Sequence, residues 1–134
     1  LPLVEMRAEF HSLQKEYRPG EREQLGAHGR VRDWSASLDT LADTAGLIAQ
    51  LDLVIAVDTA VAHLAGALGK PVWLLLPAAP DYRWLLGRTD SPWYPTMRLF
   101  RQHSAGDWES VLAAVAMATM PERQYCASNP GNTA

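Results

Sequence analysis

Residues 52–71 read D-L-V-I-A-V-D-T-A-V-A-H-L-A-G-A-L-G-K-P, and this stretch decides the fold. Residues 53–57 (L-V-I-A-V) are a continuous, mostly β-branched apolar run. The run does not alternate, so it predicts a strand covered on both faces, as in a parallel sheet. Residues 59–68 place Val61, Leu64, Ala65 and Leu68 at helical spacing. Gly69 closes that helix and Pro71 blocks its continuation. A buried strand that turns at once into an amphipathic helix is half of a βαβ unit.

Working outward, residues 72–76 (V-W-L-L-L) predict a second buried strand, ended by Pro77. Upstream, Asp43 or Thr44 is expected to cap a helix reaching Gln50, with Leu41, Ala45, Ile48 and Leu51 on one face. Residues 9–14 (E-F-H-S-L-Q) and residues 30–34 around Val31 are weaker strand signals. Between them, Pro19-Gly20 marks a turn and residues 21–25 a short helix. Downstream, residues 78–95 read as a long loop rich in Pro, Asp and Trp, and residues 97–101 (M-R-L-F-R) as a strand. Asp107 is expected to cap a last helix, residues 108–120, with Val111, Leu112, Val115 and Ala118 facing the core. Residues 121–134 are polar and are expected to form a disordered tail. The fold class is α/β: a Rossmann-like parallel sheet with flanking helices in one domain, residues 1–120.

The totals fit that picture. The chain has 134 residues, 48% of them apolar, 20% charged, with a net charge of −3. One domain with a core is the expectation. The acidic balance argues against a nucleic-acid partner. The lone Cys126 allows no internal disulfide, which fits a cytoplasmic location, and no apolar run is long enough to span a bilayer. The start, Leu1-Pro2-Leu3, carries no initiator methionine and no signal-peptide pattern, so the chain reads as a truncated piece.

Ligands of parallel sheets sit beyond the carboxyl ends of the strands. That rule selects Gln14 and Lys15, the turn Asp58-Thr59-Ala60, and the loop from Pro77 to Trp84. A helix start offers free N–H groups and the positive end of the dipole, so a diphosphate is well placed at Asp58 and Thr59. Thr59 adds a hydroxyl, Ala60 permits close approach, and His63 lies one turn along. The plainer reading makes Asp58 or Thr59 an N-cap and His63 a half-buried polar residue. Lys15 can neutralise a leaving diphosphate, or it can be a solvated loop lysine. Asp81 and Trp84 suit sugar or base contact, or Trp84 simply anchors a surface loop. His11, His28 and His103 make no metal spacing, and neither a metal nor an organic cofactor is expected. No G-x-G-x-x-G follows a strand, which argues against a dinucleotide-dependent dehydrogenase.

The pattern D-T-A-x-x-H-L-A-x-x-L-G-x-P at residues 58–71 resembles the C-terminal domain of the heptosyltransferase family. S-L-Q-K at residues 12–15, A-D-T-A-G-L-I-A-Q-L-D at 42–52 and W-L-L-G-R-T-D-S-P-W-Y-P at 84–95 extend the likeness. It is nearest to the heptosyltransferase-like domains that accompany tetratricopeptide repeats in bacteria. Many family members carry Gly where Ala60 stands. The resemblance implies the donor-binding half of a two-domain GT-B glycosyltransferase, metal-independent and inverting. It places Asp58, Thr59, Ala60 and His63 at the donor's diphosphate or sugar, with Gln14 and Lys15 on the neighbouring strand end. The general base then lies in an acceptor domain outside this chain, as does the first strand of the donor domain. The chain alone is expected to be inactive, and its open sheet edge offers a route to a dimer. Two rivals remain at this point: a non-catalytic nucleotide-binding or scaffold module of a repeat protein, and a sugar-nucleotide 2-epimerase.

Overall fold

The computed structural model describes residues 7–119. The proposed tail falls outside them. The order of elements is β1 (Phe10–Ser12), α1 (Glu21–Ala27), β2 (Val31–Asp33), α2 (Leu41–Gln50), β3 (Val54–Val57), α3 (Ala60–Ala67), β4 (Val72–Leu76), β5 (Met97–Arg101) and α4 (Trp108–Thr119). The architecture is α/β and Rossmann-like, and all named strand pairs are parallel. The strands form two sheets. One pairs β1 with β2; the other has three strands in the order β3-β4-β5.

The three-stranded sheet follows from its alternation. Val72, Leu74 and Leu76 of β4 point to one face and are fully buried with Ile48 of α2, Ala62 and Ala65 of α3, and Trp84. Leu75 points to the other face, against Val111 and Val115 of α4 and Phe100 of β5, with Trp73, Ile55 and Leu112 half-buried beside it. Both faces of β4 are covered, as its unbroken apolar run requires. Each fully buried Leu or Val contributes about 1.5–3 kcal/mol.

Local signals set the helix ends. Thr40, not Asp43 or Thr44, caps α2: its hydroxyl accepts from the Asp43 N–H, and Asp43 accepts from the Thr40 N–H at 2.7 Å. This is a capping box with Asp in the third position. The cap therefore sits earlier than the sequence reading placed it, and Leu41 becomes the first helical residue, 66% exposed rather than core-facing. At the other end of α3, Gly69 takes φ +71°. Its N–H bonds to the Gly66 carbonyl and the Lys70 N–H to the Ala65 carbonyl. That paired closure needs a left-handed residue, which Gly supplies without strain. Asp107 caps α4 as expected, accepting from the Ser110 N–H at 3.1 Å.

Two expectations for the central unit change. β3 packs on both faces, Val54 and Ala56 against one core cluster and Ile55 against the other, but it is an outer strand of its sheet rather than a central one, and Val57 at its end is 48% exposed. The core face of α3 also turns: Ala62, Ala65 and Gly66 are buried, Val61 and Leu64 are half-buried, and Leu68 is exposed. Small residues let α3 lie close on the sheet. No described helix is long and apolar enough to cross a membrane.

Candidate functional site

The start of α3 divides the candidate residues into two groups. Thr59 is the N-cap, extended at φ −141° and ψ 167°, but its side chain caps nothing. Its hydroxyl donates instead to the Val57 carbonyl at 3.2 Å. The Ala62 and His63 N–H groups bond back to the Thr59 carbonyl, at 3.1 and 3.3 Å. The N–H groups of Ala60 and Val61 have no acceptor inside the helix. Ala60 has ordinary negative φ, so the alanine costs no backbone strain there.

On one side this helix start opens on a groove of about 1140 Å³. Gln14, Lys15, Thr59, Ala60 and Val61 all line it. Two of these side chains already have internal partners. Lys15 Nζ donates to Asp39 at 2.8 Å and to the Ser35 carbonyl at 3.2 Å. Gln14 Nε2 donates to the Glu16 carbonyl at 2.8 Å and to Glu21 at 3.1 Å. Both lie at the surface, where such contacts contribute little to stability.

The other side is an aromatic cluster, and it holds Asp58, His63, Trp84 and Asp81. Trp84 is fully buried and its indole N–H donates to Asp58 Oδ2 at 2.9 Å. His63 Nε2 lies 3.1 Å from Asp58 Oδ1. An ionised carboxylate only accepts, so Nε2 carries the proton. Nδ1 lies 3.0 Å from the Tyr94 hydroxyl, which can either donate to that nitrogen or accept from it. The His63 ring is tilted on Trp84 at 5.4 Å and meets Tyr94 edge-on at 5.7 Å. Asp58 thus has both oxygens engaged and His63 both nitrogens. Asp81 caps the short turn Tyr82–Trp84, accepting from the Arg83 N–H and side chain. That guanidinium, with the backbone N–H, holds the Asp81 carboxyl below its usual range.

Sequence reasoning missed three contributors. Tyr94, inside the long loop of residues 78–95, is a polar partner of His63. Gly66 makes that possible, because a Cβ there would stand 2.8 Å from the Tyr94 ring. A glycine inside an apolar helix, one turn from His63, was the available signal. Arg101 at the end of β5 donates to the carbonyls of Trp84 and Arg88 and so pins the aromatic loop. Leu85, in that loop, sits at φ +55°, a strained setting for a leucine.

A second polar network lies past the carboxyl end of β2. Asp33 accepts from the Ser35 N–H at 2.9 Å, the Tyr17 hydroxyl at 3.1 Å and Arg22 Nε at 3.2 Å. These donors, the Ser35 N–H foremost, hold its carboxyl at about 2. The described residues contain no group of three or more His, Cys, Asp or Glu placed to hold a metal.

Comparison with known proteins fits this geometry. Residues 36–84 match the model of glycosyltransferase family 9 (heptosyltransferase), a span that runs from α2 through the α3 turn to Trp84. The chain carries a heptosyltransferase-like domain. It is also 41% identical over 96 residues to Protein FlbA of Caulobacter vibrioides. That alignment covers 72% of this chain and 15% of the relative, so the chain spans a small part of that protein's length. No solved structure matches the chain significantly. The heptosyltransferase-like domain thus has the turn and the helix start at its centre.

Proposed function

We propose that this domain binds the diphosphate of a nucleotide-sugar donor at the start of α3 and serves the donor side of an inverting glycosyltransferase. The observation that carries the reading is the uncapped N-terminus of α3, opening on a groove that also holds Lys15 and Gln14. The N–H groups of Ala60 and Val61 are the donors for phosphate oxygens, joined by the Thr59 hydroxyl as it turns from the Val57 carbonyl to the ligand. Lys15 exchanges Asp39 for the ligand. Asp58 repels an anion and is already bonded to Trp84 and His63, so its role is to fix the turn rather than to touch phosphate.

In the transfer, a base in an acceptor domain deprotonates the acceptor hydroxyl. The oxygen attacks the anomeric carbon from the face opposite the diphosphate, the carbon–oxygen bond to the diphosphate breaks, and the configuration inverts. Negative charge grows on the leaving oxygen, and the dipole of α3 and Lys15 stabilise it. The likeness to heptosyltransferases supports this reading. The full-length protein would be a GT-B enzyme of the cytoplasm, in the company of tetratricopeptide repeats.

A non-catalytic nucleotide-binding module is the second reading, and the internal partners of Lys15 and Gln14 favour it. Calorimetric titration of the full-length protein with ADP, UDP and GDP tests the first. A charge-assisted hydrogen bond contributes roughly 1.5–3 kcal/mol, so Thr59→Val should weaken the preferred nucleotide about 10- to 100-fold. Equal, weak binding of all three to wild type and variant would refute the phosphate site. Tight binding without turnover on any acceptor would select the second reading.

A further inference from the structure

Arg101 ends β5 on the face that carries Met97 and Leu99, because side chains two apart along a strand share a face. It therefore stands at the carboxyl end of the sheet, on the α3 side, and its guanidinium spans the two ends of the turn at residues 84–88. Nη2 donates to the Trp84 carbonyl, and Nε donates to the Arg88 carbonyl at 3.0 Å. Nη1 is buried and has no acceptor. Among the described residues this guanidinium makes no ion pair. The carboxylates of the region are engaged elsewhere: Asp58 with Trp84 and His63, Asp81 with Arg83, and Asp90 with Arg88. A carbonyl satisfies an N–H without balancing its charge, and a buried cation without an anion is costly. Burial pushes the Arg101 guanidinium below its usual range.

The turn itself is costly as well. Leu85 holds φ +55° and ψ −169°, a combination that glycine alone adopts freely. Apolar burial does little to keep the turn shut, since Leu85 is 46% exposed and Leu86 81%. What holds it is the pair of bonds from Arg101, with one from the Leu85 N–H to the Tyr82 carbonyl at 3.2 Å. A cation short of a partner thus lies behind a cover that is strained in its closed form.

We propose that Arg101 is the receptor for a diffusible carboxylate, which reaches it when the turn at residues 84–88 opens. The carboxylate takes Nη1 and Nη2 together, since two parallel N–H donors match its planar pair of oxygens. Nη2 leaves the Trp84 carbonyl, and Leu85 is free to relax to a negative φ. A phosphate fits less well. It brings more negative charge between the carbonyls of Trp84 and Arg88, on the flank where Asp58 is bonded to the Trp84 indole. The site is separate from the groove that Lys15 and Gln14 line, and it does not depend on what that groove binds.

Titration of the full-length protein with acetate and with inorganic phosphate, at constant ionic strength, tests this. The signals to follow are the backbone amides of Leu85 and Leu86 and the Arg101 side-chain Nε–H. Acetate should shift all three together and saturate at about millimolar concentration. Phosphate should act on them at least about 10-fold more weakly. Arg101→Lys keeps the charge and loses the fork, so acetate affinity should fall about 10-fold or more. Leu85→Gly lets the closed turn form without strain, so it should also weaken acetate, by about 10-fold, with the fold retained. If Arg101→Lys does not fold, Leu85→Gly decides. Acetate that moves none of the three signals would overturn the proposal, as would a response unchanged in Arg101→Lys. Equal acetate affinity in wild type and Leu85→Gly would show that no strained cover has to open. Tighter phosphate than acetate would show a site for a different anion. Either result also overturns the proposal.

Discussion

The two flanks of the α3 start are built differently. On the aromatic flank every polar atom of Asp58 and His63 is committed, and Trp84 beneath them is fully buried. On the groove flank the helix N–H groups are open, and Lys15 and Gln14 are held by surface contacts. The contrast assigns the labour: one flank fixes the turn in space and the other is free to receive a ligand. The two flanks should respond to mutation in opposite ways. Changes on the aromatic flank should cost stability, and changes on the groove flank should cost binding.

The largest expected effect is Trp84→Ala. Emptying a fully buried aromatic site costs about 3–5 kcal/mol. It also strips Asp58 of a donor, and denaturant melting should show the loss. Trp84→Phe keeps most of the volume and removes the N–H, so its cost should be nearer the roughly 1–3 kcal/mol of an unsatisfied partner. If Trp84→Ala melts like wild type, the aromatic flank is not the rigid one.

Gly66→Ala sharpens the comparison because two effects oppose. Alanine should favour the helix by about 0.8–1 kcal/mol. The new Cβ meets the Tyr94 ring, and overpacking of that kind costs about 1–3 kcal/mol. The clash should win, the protein should melt earlier, and the His63 ring resonances should shift as Tyr94 withdraws. A gain in stability would show that Tyr94 does not hold His63.

Smaller effects belong to the β2 network and to the groove flank. Asp33 has its carboxyl lowered to about 2 by the Ser35 N–H, the Tyr17 hydroxyl and Arg22. A group depressed in the folded state stabilises above its unfolded value near 4 and loses that contribution as the pH falls toward 2. The urea midpoint of wild type should therefore fall over that window, and Asp33→Asn should flatten the fall. An unchanged slope would break the link between this network and acid stability. Smallest of all, Lys15→Ala should change stability by less than about 1 kcal/mol, since the ion pair to Asp39 is exposed. Its effect on nucleotide affinity should shrink as salt rises.

The contrast also explains what the sequence could show. The β3–α3–β4 unit was legible because its signals are local: an unbroken apolar run, helical spacing, then Gly69 and Pro71. The core face of α4 was legible for the same reason. Thr40 was missed because Asp in the third position of a capping box is a less familiar signature than Glu, although both residues were in plain view. The bonds from Trp84 to Asp58 and from Tyr94 to His63 span 26 and 31 residues, and no local pattern encodes them. The run at residues 53–57 reads as central while β3 is an outer strand, and that mismatch between local composition and tertiary setting is what exposed the groove.

The most direct test of the account maps a nucleoside diphosphate onto the backbone. Amide resonances of the full-length protein should be followed during titration with whichever of ADP, UDP or GDP binds best. The account predicts the largest shifts at Thr59, Ala60 and Val61, a smaller one at Lys15, and little change at Trp84 or Tyr94. Shifts confined to residues 78–95, with Ala60 and Val61 unmoved at saturation, would contradict it and move the ligand to the aromatic flank.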